Sequence, residues 1–211
     1  MRLAAALTAA AVMLVATPAH AADRTLRATP GNVVVGARGG SWTTLRATGL
    51  PAWVQLIDAE MHGPHGARNY VDLNLRNVPG VWEGEVVFGH TDQPGKWRVV
   101  LKLVGENRRA TGPTTAFTVK RRTTLAATGG GSRARGGLNG VLKRLLGDGH
   151  SLPYARQKVR LYRWSGHWVH TATDRTDARG RYAFRVRTGK YQIRYAGTTI
   201  NAAAVSDRNA G

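Results

Sequence analysis

The chain has 211 residues, which is room for two ordinary domains that each bury a core, and it contains no cysteine. The lack of cysteine excludes disulfides, thiolate metal sites and cysteine nucleophiles. Lys and Arg number 31 against 12 Asp and Glu, and the formal net charge of +19 favours partners that carry negative charge.

Residues 1–21 have the form of a signal peptide. Arg2 precedes an apolar run from Leu3 to Ala16, and Ala19-His20-Ala21 has the small-x-small pattern of a cleavage site. The apolar run is short for a membrane span, and no second run follows it. We therefore expect a secreted, extracellular protein with no membrane span. Export without disulfides fits a bacterial surface protein better than a eukaryotic secretory one.

Residues 22–119 alternate short apolar-polar strands with Gly and Pro turns. Residues 70–75 give the clearest half-buried strand, and a Pro-Gly turn leads into another strand at residues 96–104. About seven or eight such strands, with turns every 8 to 12 residues or so, are typical of an antiparallel sandwich. The segment from Val81 to Val87, followed by Pro94 to Val99, resembles the late strands of bacterial immunoglobulin-like domains. That resemblance implies a fold and no activity.

A domain boundary is predicted at Lys120-Arg121-Arg122, and residues 120–137 are interpreted as a basic, Gly-rich linker or loop. Residues 129–137 contain five glycines in a run of small and basic residues, which predicts a mobile surface loop. The phrases Arg24 to Thr29 and Arg122 to Thr128 are alike. They are either a weak repeat that opens two tandem modules or a chance similarity.

Residues 138–207 resume the strand pattern and contain the clearest local signal in the chain, from Thr176 to Phe184. The side chain of Asp177 can accept hydrogen bonds from backbone amides just ahead of it, and Gly180 can adopt the positive φ of a tight turn. The strand that follows places Tyr182, Phe184 and Val186 on one face and arginines on the other.

The order of features in this half resembles a known class of Greek-key sandwich. It runs from Gly140 and Pro153 through residues 157–162, Trp168 and residues 176–184 to Tyr195-Ala196-Gly197. This order is similar to the prealbumin-like, carboxypeptidase-regulatory-like modules, which serve as stabilising, adhesive or regulatory appendages. We therefore expect an all-β protein with two antiparallel Greek-key β-sandwich (Ig-like) modules in tandem after the signal peptide.

Charge is distributed unevenly between the two halves. Residues 23–119 carry 11 Lys and Arg against 8 Asp and Glu, a net +3, whereas residues 120–211 carry 19 against 4, a net +15. We expect such a field to draw polyanions to the second half, namely teichoic acids or other anionic cell-wall polymers, anionic lipid headgroups, acidic glycans or nucleic acid. The candidate binding residues are the outward arginines of this half and two nearby tryptophans that could stack on a ligand: Arg160, Arg181, Arg185, Arg187, Arg194, Trp164 and Trp168. The alternative is a solvated face in a protein that uses Arg far more than Lys.

Catalytic and metal sites are not expected. No serine lies in a nucleophile elbow, and Glu83 and Glu85 share one face of a strand in the manner of a solvated edge. His62 and His65 in a Gly-Pro loop form a metal site only if a further ligand joins them, and we interpret them as loop residues. We therefore expect no enzyme activity, no metal and no cofactor.

The sequence favours a non-catalytic exported protein that acts as a cell-surface or extracellular binding or scaffold module for anionic polymers. The alternative function is an accessory module that assists a separately encoded secreted enzyme, for which a protein partner is needed. No nucleic-acid reading motif is present, so a specific nucleic-acid partner is not expected.

Overall fold

The computed structural model describes residues 24–129 and 136–210. The predicted signal peptide and most of the predicted loop at residues 129–137 lie outside the described residues. Over the described ranges, no helix is long and apolar enough to cross a membrane.

The first half consists of eight strands and a short 3₁₀ helix at Pro64–Gly66. The strands are β1 (Thr25–Thr29), β2 (Asn32–Val35), β3 (Ser41–Thr48), β4 (Leu56–His62), β5 (Arg68–Leu75), β6 (Trp82–Phe88), β7 (Gly95–Gly105) and β8 (Arg108–Arg121). They are hydrogen-bonded in the order β1-β3-β6-β5-β4-β7-β8-β2. The end of β5 pairs with β6 and the rest of it pairs with β4, so the chain passes from one layer to the other within this strand.

These strands form a β-sandwich around one core. Buried side chains from both layers form a single apolar cluster, in which the ring of Phe88 packs edge-on against Trp97 and Phe117 at 5.1 and 5.4 Å. Strand β2 pairs in parallel with β8, whereas the other strand pairs are antiparallel. The parallel pair is a departure from the purely antiparallel arrangement that the turn spacing predicts.

The second half consists of eight more strands. They are β9 (Thr123–Thr128), β10 (Gly136–Leu145), β11 (Ser151–Pro153), β12 (Lys158–Trp164), β13 (Trp168–Arg175), β14 (Arg181–Val186), β15 (Gly189–Tyr195) and β16 (Ala204–Ala210). Strands β9, β10, β11 and β14 form one sheet, here named sheet I, in which β10 lies in the centre. Strands β13, β12, β15 and β16 form sheet II in that order.

The two sheets enclose a second core. Leu138, Leu142 and Phe184 of sheet I are buried in the same cluster as Leu161 and Ile193 of sheet II. The chain is therefore all-β, with two sandwiches in tandem, as the sequence predicts. The closer resemblance of the second sandwich to carboxypeptidase-regulatory-like modules stays a prediction.

The structure differs from the predicted linker at residues 120–137. Strand β8 continues to Arg121, and β9 begins at Thr123 and pairs with β10. Leu125 and Ala127 are buried in the second core, because the run Thr123–Thr128 alternates buried and exposed side chains. Most of the predicted linker that the structure describes is thus a sheet strand, and only Arg122 separates the strands of the two sandwiches.

The turn between β13 and β14 has the predicted geometry. The Asp177 carboxylate accepts hydrogen bonds from the backbone N–H groups of Arg179 and Arg181, both at 2.8 Å. Gly180 has φ +70°, and its N–H donates to the Asp177 carbonyl. The turn therefore delivers β14 with Tyr182 and Phe184 facing the core.

Candidate functional site

The seven candidate residues lie on two opposite faces of the second sandwich. Arg181 and Arg185 project outward from β14, and exposed Arg187 follows at its end. Strand β14 pairs with β10, so these arginines belong to the outer surface of sheet I. Arg160 and Arg194 are direct cross-strand partners on β12 and β15, and they belong to the outer surface of sheet II. Strand pairing between distant segments decides this division, and strand alternation alone does not reveal it.

A β-bulge in sheet II controls which side chains reach its outer surface. Leu161 pairs with Ala172 and the next residue, Tyr162, pairs with His170, so Thr171 of β13 is the extra residue. Beyond the bulge, Trp164 pairs with Trp168. In an uninterrupted strand Trp168 and His170 share a face with Ala172, which packs against the core. The bulge therefore turns both rings outward, beside Tyr162 and Trp164.

The outer surface of sheet II combines aromatic rings with cationic groups. We name it the aromatic–cationic face, and its members are Lys158, Arg160, Tyr162, Trp164, Trp168, His170, Lys190, Gln192, Arg194 and Asp207. The centroids of the Trp164 and Trp168 rings are 5.2 Å apart, with an edge-to-face angle of 67°. The ammonium of Lys190 lies 5.5 and 5.8 Å from these two centroids. Both distances are within the range of a cation–π contact.

The second half of this face has the same composition. The Arg194 guanidinium lies 4.2 Å from the centroid of Tyr162, and Tyr162 packs edge-on against His170 at 5.4 Å. The Nε of Arg194 donates a hydrogen bond to the Gln192 amide oxygen. The guanidinium is thereby held over the Tyr162 ring, beside Arg160.

An open depression of about 470 Å³ adjoins the tryptophan pair, and it is lined by Trp168, Lys190, Gln192, Asp207 and Arg208. The Gln192 amide nitrogen donates to the Asp207 carboxylate at 2.8 Å. The depression thus offers a cation, a carboxylate acceptor and an aromatic ring to the same ligand.

Among the described residues, the Lys and Arg side chains of the second sandwich have no ion-pair partner. In residues 136–210, as far as the structure describes them, no Lys or Arg nitrogen lies within 4.0 Å of a carboxylate oxygen. Asp174 and Asp177 accept hydrogen bonds from backbone amides, and Asp148 lies beside His150. The positive charge of this half is therefore available to a partner.

The outer surface of sheet I is cationic without being aromatic. Besides Arg181 and Arg185, its described outward positions on β9, β10 and β14 carry Thr124, Ala126, Thr128, Asn139, Val141, Lys143 and Ala183. This face resembles the solvated, arginine-bearing surface of the alternative interpretation.

The first sandwich carries most of the acidic side chains, and two of them, Glu60 and Glu83, form local ion pairs. Glu83 lies 2.9 Å from the Nε of Arg76 and 3.6 Å from that of Arg46. The Nε2 of His62 lies 3.7 Å from Glu60. Within the described ranges no group of three or more His, Cys, Asp or Glu could hold a metal ion.

Asp58 faces another carboxylate across the sheet. It is the cross-strand partner of Asp72, on β4 and β5. Burial and then the hydrogen bond with Asp72 raise the pKa of Asp58. The pair bears on the stability of the first sandwich, since like charges placed opposite each other are destabilising.

Sequence reasoning missed several members of the aromatic–cationic face. Lys190 and Gln192 could have been found, because they alternate with the buried Tyr191 and Ile193 in β15. Asp207 could not, because its position depends on the pairing of β16 with β15. His170 could not either, because its direction depends on the bulge.

No protein-family model matches the sequence, and no curated protein matches it. Among solved structures, the chain is similar to a two-domain fibronectin type III segment of chicken tenascin, with 10% identity, a TM-score of 0.45, and coverage of 89% of this chain and 99% of that one. It is also similar to a DUF4785 family protein of Legionella pneumophila, with 15% identity, a TM-score of 0.41, and coverage of 80% of this chain and 51% of that one. A third is a tetra-tandem repeat in the extending region of a large adhesion protein, with 13% identity, a TM-score of 0.32, and coverage of 84% and 47%. The chain therefore spans about half of the second and third of these structures.

Proposed function

We propose that the protein is a non-catalytic, exported binding or scaffold module that acts outside the cell and uses its second sandwich to bind anionic polymers. The form of residues 1–21 supports export. The tandem of two sandwiches with separate cores supports a binding or scaffold role, since such domains present surfaces on rigid sheets.

The observation that carries the proposal is the uncompensated positive charge of the second sandwich. Its described Lys and Arg side chains have no carboxylate within 4.0 Å, whereas Arg46, Arg76 and Lys102 of the first sandwich do. A surface of one sign raises the local concentration of counter-ions and steers polyanions towards it. An anionic polymer that binds there gains ion pairs without breaking internal ones.

The test is retention of the full exported chain on heparin and on phosphocellulose, with elution by salt. We expect the chain to stay bound at about 0.15 M salt, where the Debye length is about 8 Å. Complete elution below about 0.15 M from both resins would contradict the proposal.

Two charge-matched variants locate the binding. One removes four outward arginines of the second sandwich: R160Q, R181Q, R185Q and R194Q. The other removes four exposed arginines of the first sandwich: R27Q, R68Q, R98Q and R108Q. We expect the first variant to elute at clearly lower salt than the second, because the two differ only in where the same charge is lost. Equal elution would assign the retention to net charge and not to the second sandwich.

A further inference from the structure

The two outer faces of the second sandwich present different kinds of side chain to a ligand. Both carry unpaired arginines, but aromatic rings accompany them only in sheet II, as far as the outward positions are described. A polyanion held by charge alone could use either face. A ligand that also presents flat apolar surface can use only the face with the rings.

The tryptophan pair has the exposure of a ligand platform. Trp164 is 44% exposed, and Trp168 is half-buried against it. Large aromatic side chains of a small sandwich normally fill its core, as Trp97 does in the first sandwich with 1% exposure. The bulge at Thr171 is what keeps Trp168 out of the second core. Bulges that redirect a side chain in this way are found next to functional sites more often than elsewhere.

The polar groups beside the rings indicate which anionic ligand fits. Asp207 places carboxylate oxygens in the depression, which Trp168 and Lys190 also line. Hydroxyl groups donate to such acceptors. A densely charged phosphate chain brings only acceptors, and the Asp207 carboxylate repels it. The ligand that satisfies both the cations and the acceptors has many hydroxyl groups and well-separated negative charges.

Building on the proposed function, we infer that the aromatic–cationic face binds an acidic polysaccharide. Sugar rings pack with their C–H groups against the exposed parts of Trp164 and Trp168, and their hydroxyl groups donate to the Asp207 carboxylate. Carboxylates of the polymer pair with Lys190 and with Arg160 and Arg194, which lie side by side across β12 and β15. The Tyr162 ring beneath Arg194 holds the guanidinium in place without consuming its charge.

The experiment measures binding of the full exported chain to three probes at about 0.15 M salt. They are a polygalacturonate oligosaccharide, single-stranded oligothymidylate and inorganic polyphosphate. Tryptophan fluorescence and calorimetry report binding. We expect the polygalacturonate oligosaccharide to bind at least tenfold more tightly than the other two probes, compared at equal numbers of negative charges.

Matched variants separate the rings from the charges. W164A/W168A is compared with W42A, which removes an exposed ring from the first sandwich, where Trp42 is 60% exposed. R160Q/R194Q is compared with R27Q/R98Q, which removes the same charge from the first sandwich. We expect about a tenfold or greater loss of polygalacturonate binding in the first member of each pair and less than about twofold in the second. W164F/W168F, which keeps aromatic faces, should bind nearly as the wild type does and guards against a folding defect.

Three outcomes would overturn the inference. If all probes bind in proportion to charge and W164A/W168A has no effect, the acidic-polysaccharide assignment is wrong while the proposed binding of anionic polymers stands. If oligothymidylate binds most tightly and depends on Trp164 and Trp168, the face is a single-stranded nucleic-acid platform. If none of the probes binds at this salt concentration and the resins also fail to retain the chain, the inference and the proposed function both fail.

Discussion

Replacing Gly180 with Ala should unfold the second sandwich at a markedly lower temperature. Gly180 has φ +70°, a region that costs an L-residue about 1 kcal/mol or more. A Cβ at this position would also lie 2.5 Å from the carbonyl oxygen of Leu142, a backbone atom that cannot rotate away. That carbonyl accepts from Tyr154 N–H, and the Leu142 N–H donates to the Gly180 carbonyl. If the added Cβ pushes the Leu142 backbone away, both of these hydrogen bonds weaken, and each loss lowers stability by about 1 kcal/mol.

The expected loss for G180A is therefore about 3 kcal/mol, or a fall of about 12–24 °C in the Tm of a domain of this size. The matched control is Gly166→Ala in the turn between β12 and β13. Gly166 has φ +85°, but a Cβ there would meet nothing within 4 Å, so only the backbone cost of about 1 kcal/mol applies. Differential scanning calorimetry of both variants measures the effect. Equal shifts in Tm for G180A and G166A would refute the role of the Leu142 contact.

Three further changes should act in stated directions. D58N should stabilise the first sandwich at pH 7. The pKa of Asp58 is raised from 3.8, so the stabilisation by the protonated Asp58 carboxyl is fully present below about pH 3.8 and is lost as the pH rises through the raised pKa. Urea unfolding should therefore show that the increase in stability caused by D58N shrinks in acid, and an increase that does not depend on pH would contradict this. Y182F removes a 2.8 Å hydrogen bond to the Ala126 carbonyl and should lower the free energy of unfolding by about 1 kcal/mol near pH 7. Burial raises the pKa of Tyr182 to about 12, so the stability advantage of the wild type over Y182F should shrink between about pH 10 and 12. A constant difference in stability over that range would contradict this. R160Q should leave the Tm unchanged or raise it slightly, because Arg160 faces Arg194 and has no carboxylate within 4.0 Å, and a fall of several degrees would reveal a partner for Arg160.

Local sequence patterns predict the strands and the sharp turns of this protein well. The alternation in Arg181–Val186 is reproduced residue by residue, with Tyr182, Phe184 and Val186 buried and the residues between them exposed. The Asp177 to Gly180 turn is equally legible, because its hydrogen bonds join residues within four positions of each other. Such features depend on backbone preferences and on the alternation of apolar and polar residues, and both can be predicted from a short stretch of sequence.

The pairing of strands that are far apart in the chain cannot be predicted from local patterns in the same way. Thr123–Thr128 looks like part of a linker because a run of small and hydroxyl residues is weakly apolar, yet it forms a strand of sheet I. The outward arginines look like one surface because strands β12, β14 and β15 show the same alternation. Which strands are neighbours, and hence which arginines share a face, is decided by contacts between segments far apart in the chain.

The bulge at Thr171 changes the local alternation of β13 through its pairing with β12, and it places aromatic rings in the candidate site. By simple alternation, Trp168 and His170 would point with Ala172 towards the core. One extra residue in β13 reverses that direction for everything between Thr171 and the preceding turn. An inserted residue disrupts the ladder locally, and here the Thr171 hydroxyl donates to the Leu161 carbonyl at 3.2 Å. The rings of Trp168 and His170 therefore lie outside the core. They are on the outer face of sheet II, near Lys190 and Arg194, where a bound ligand can contact them.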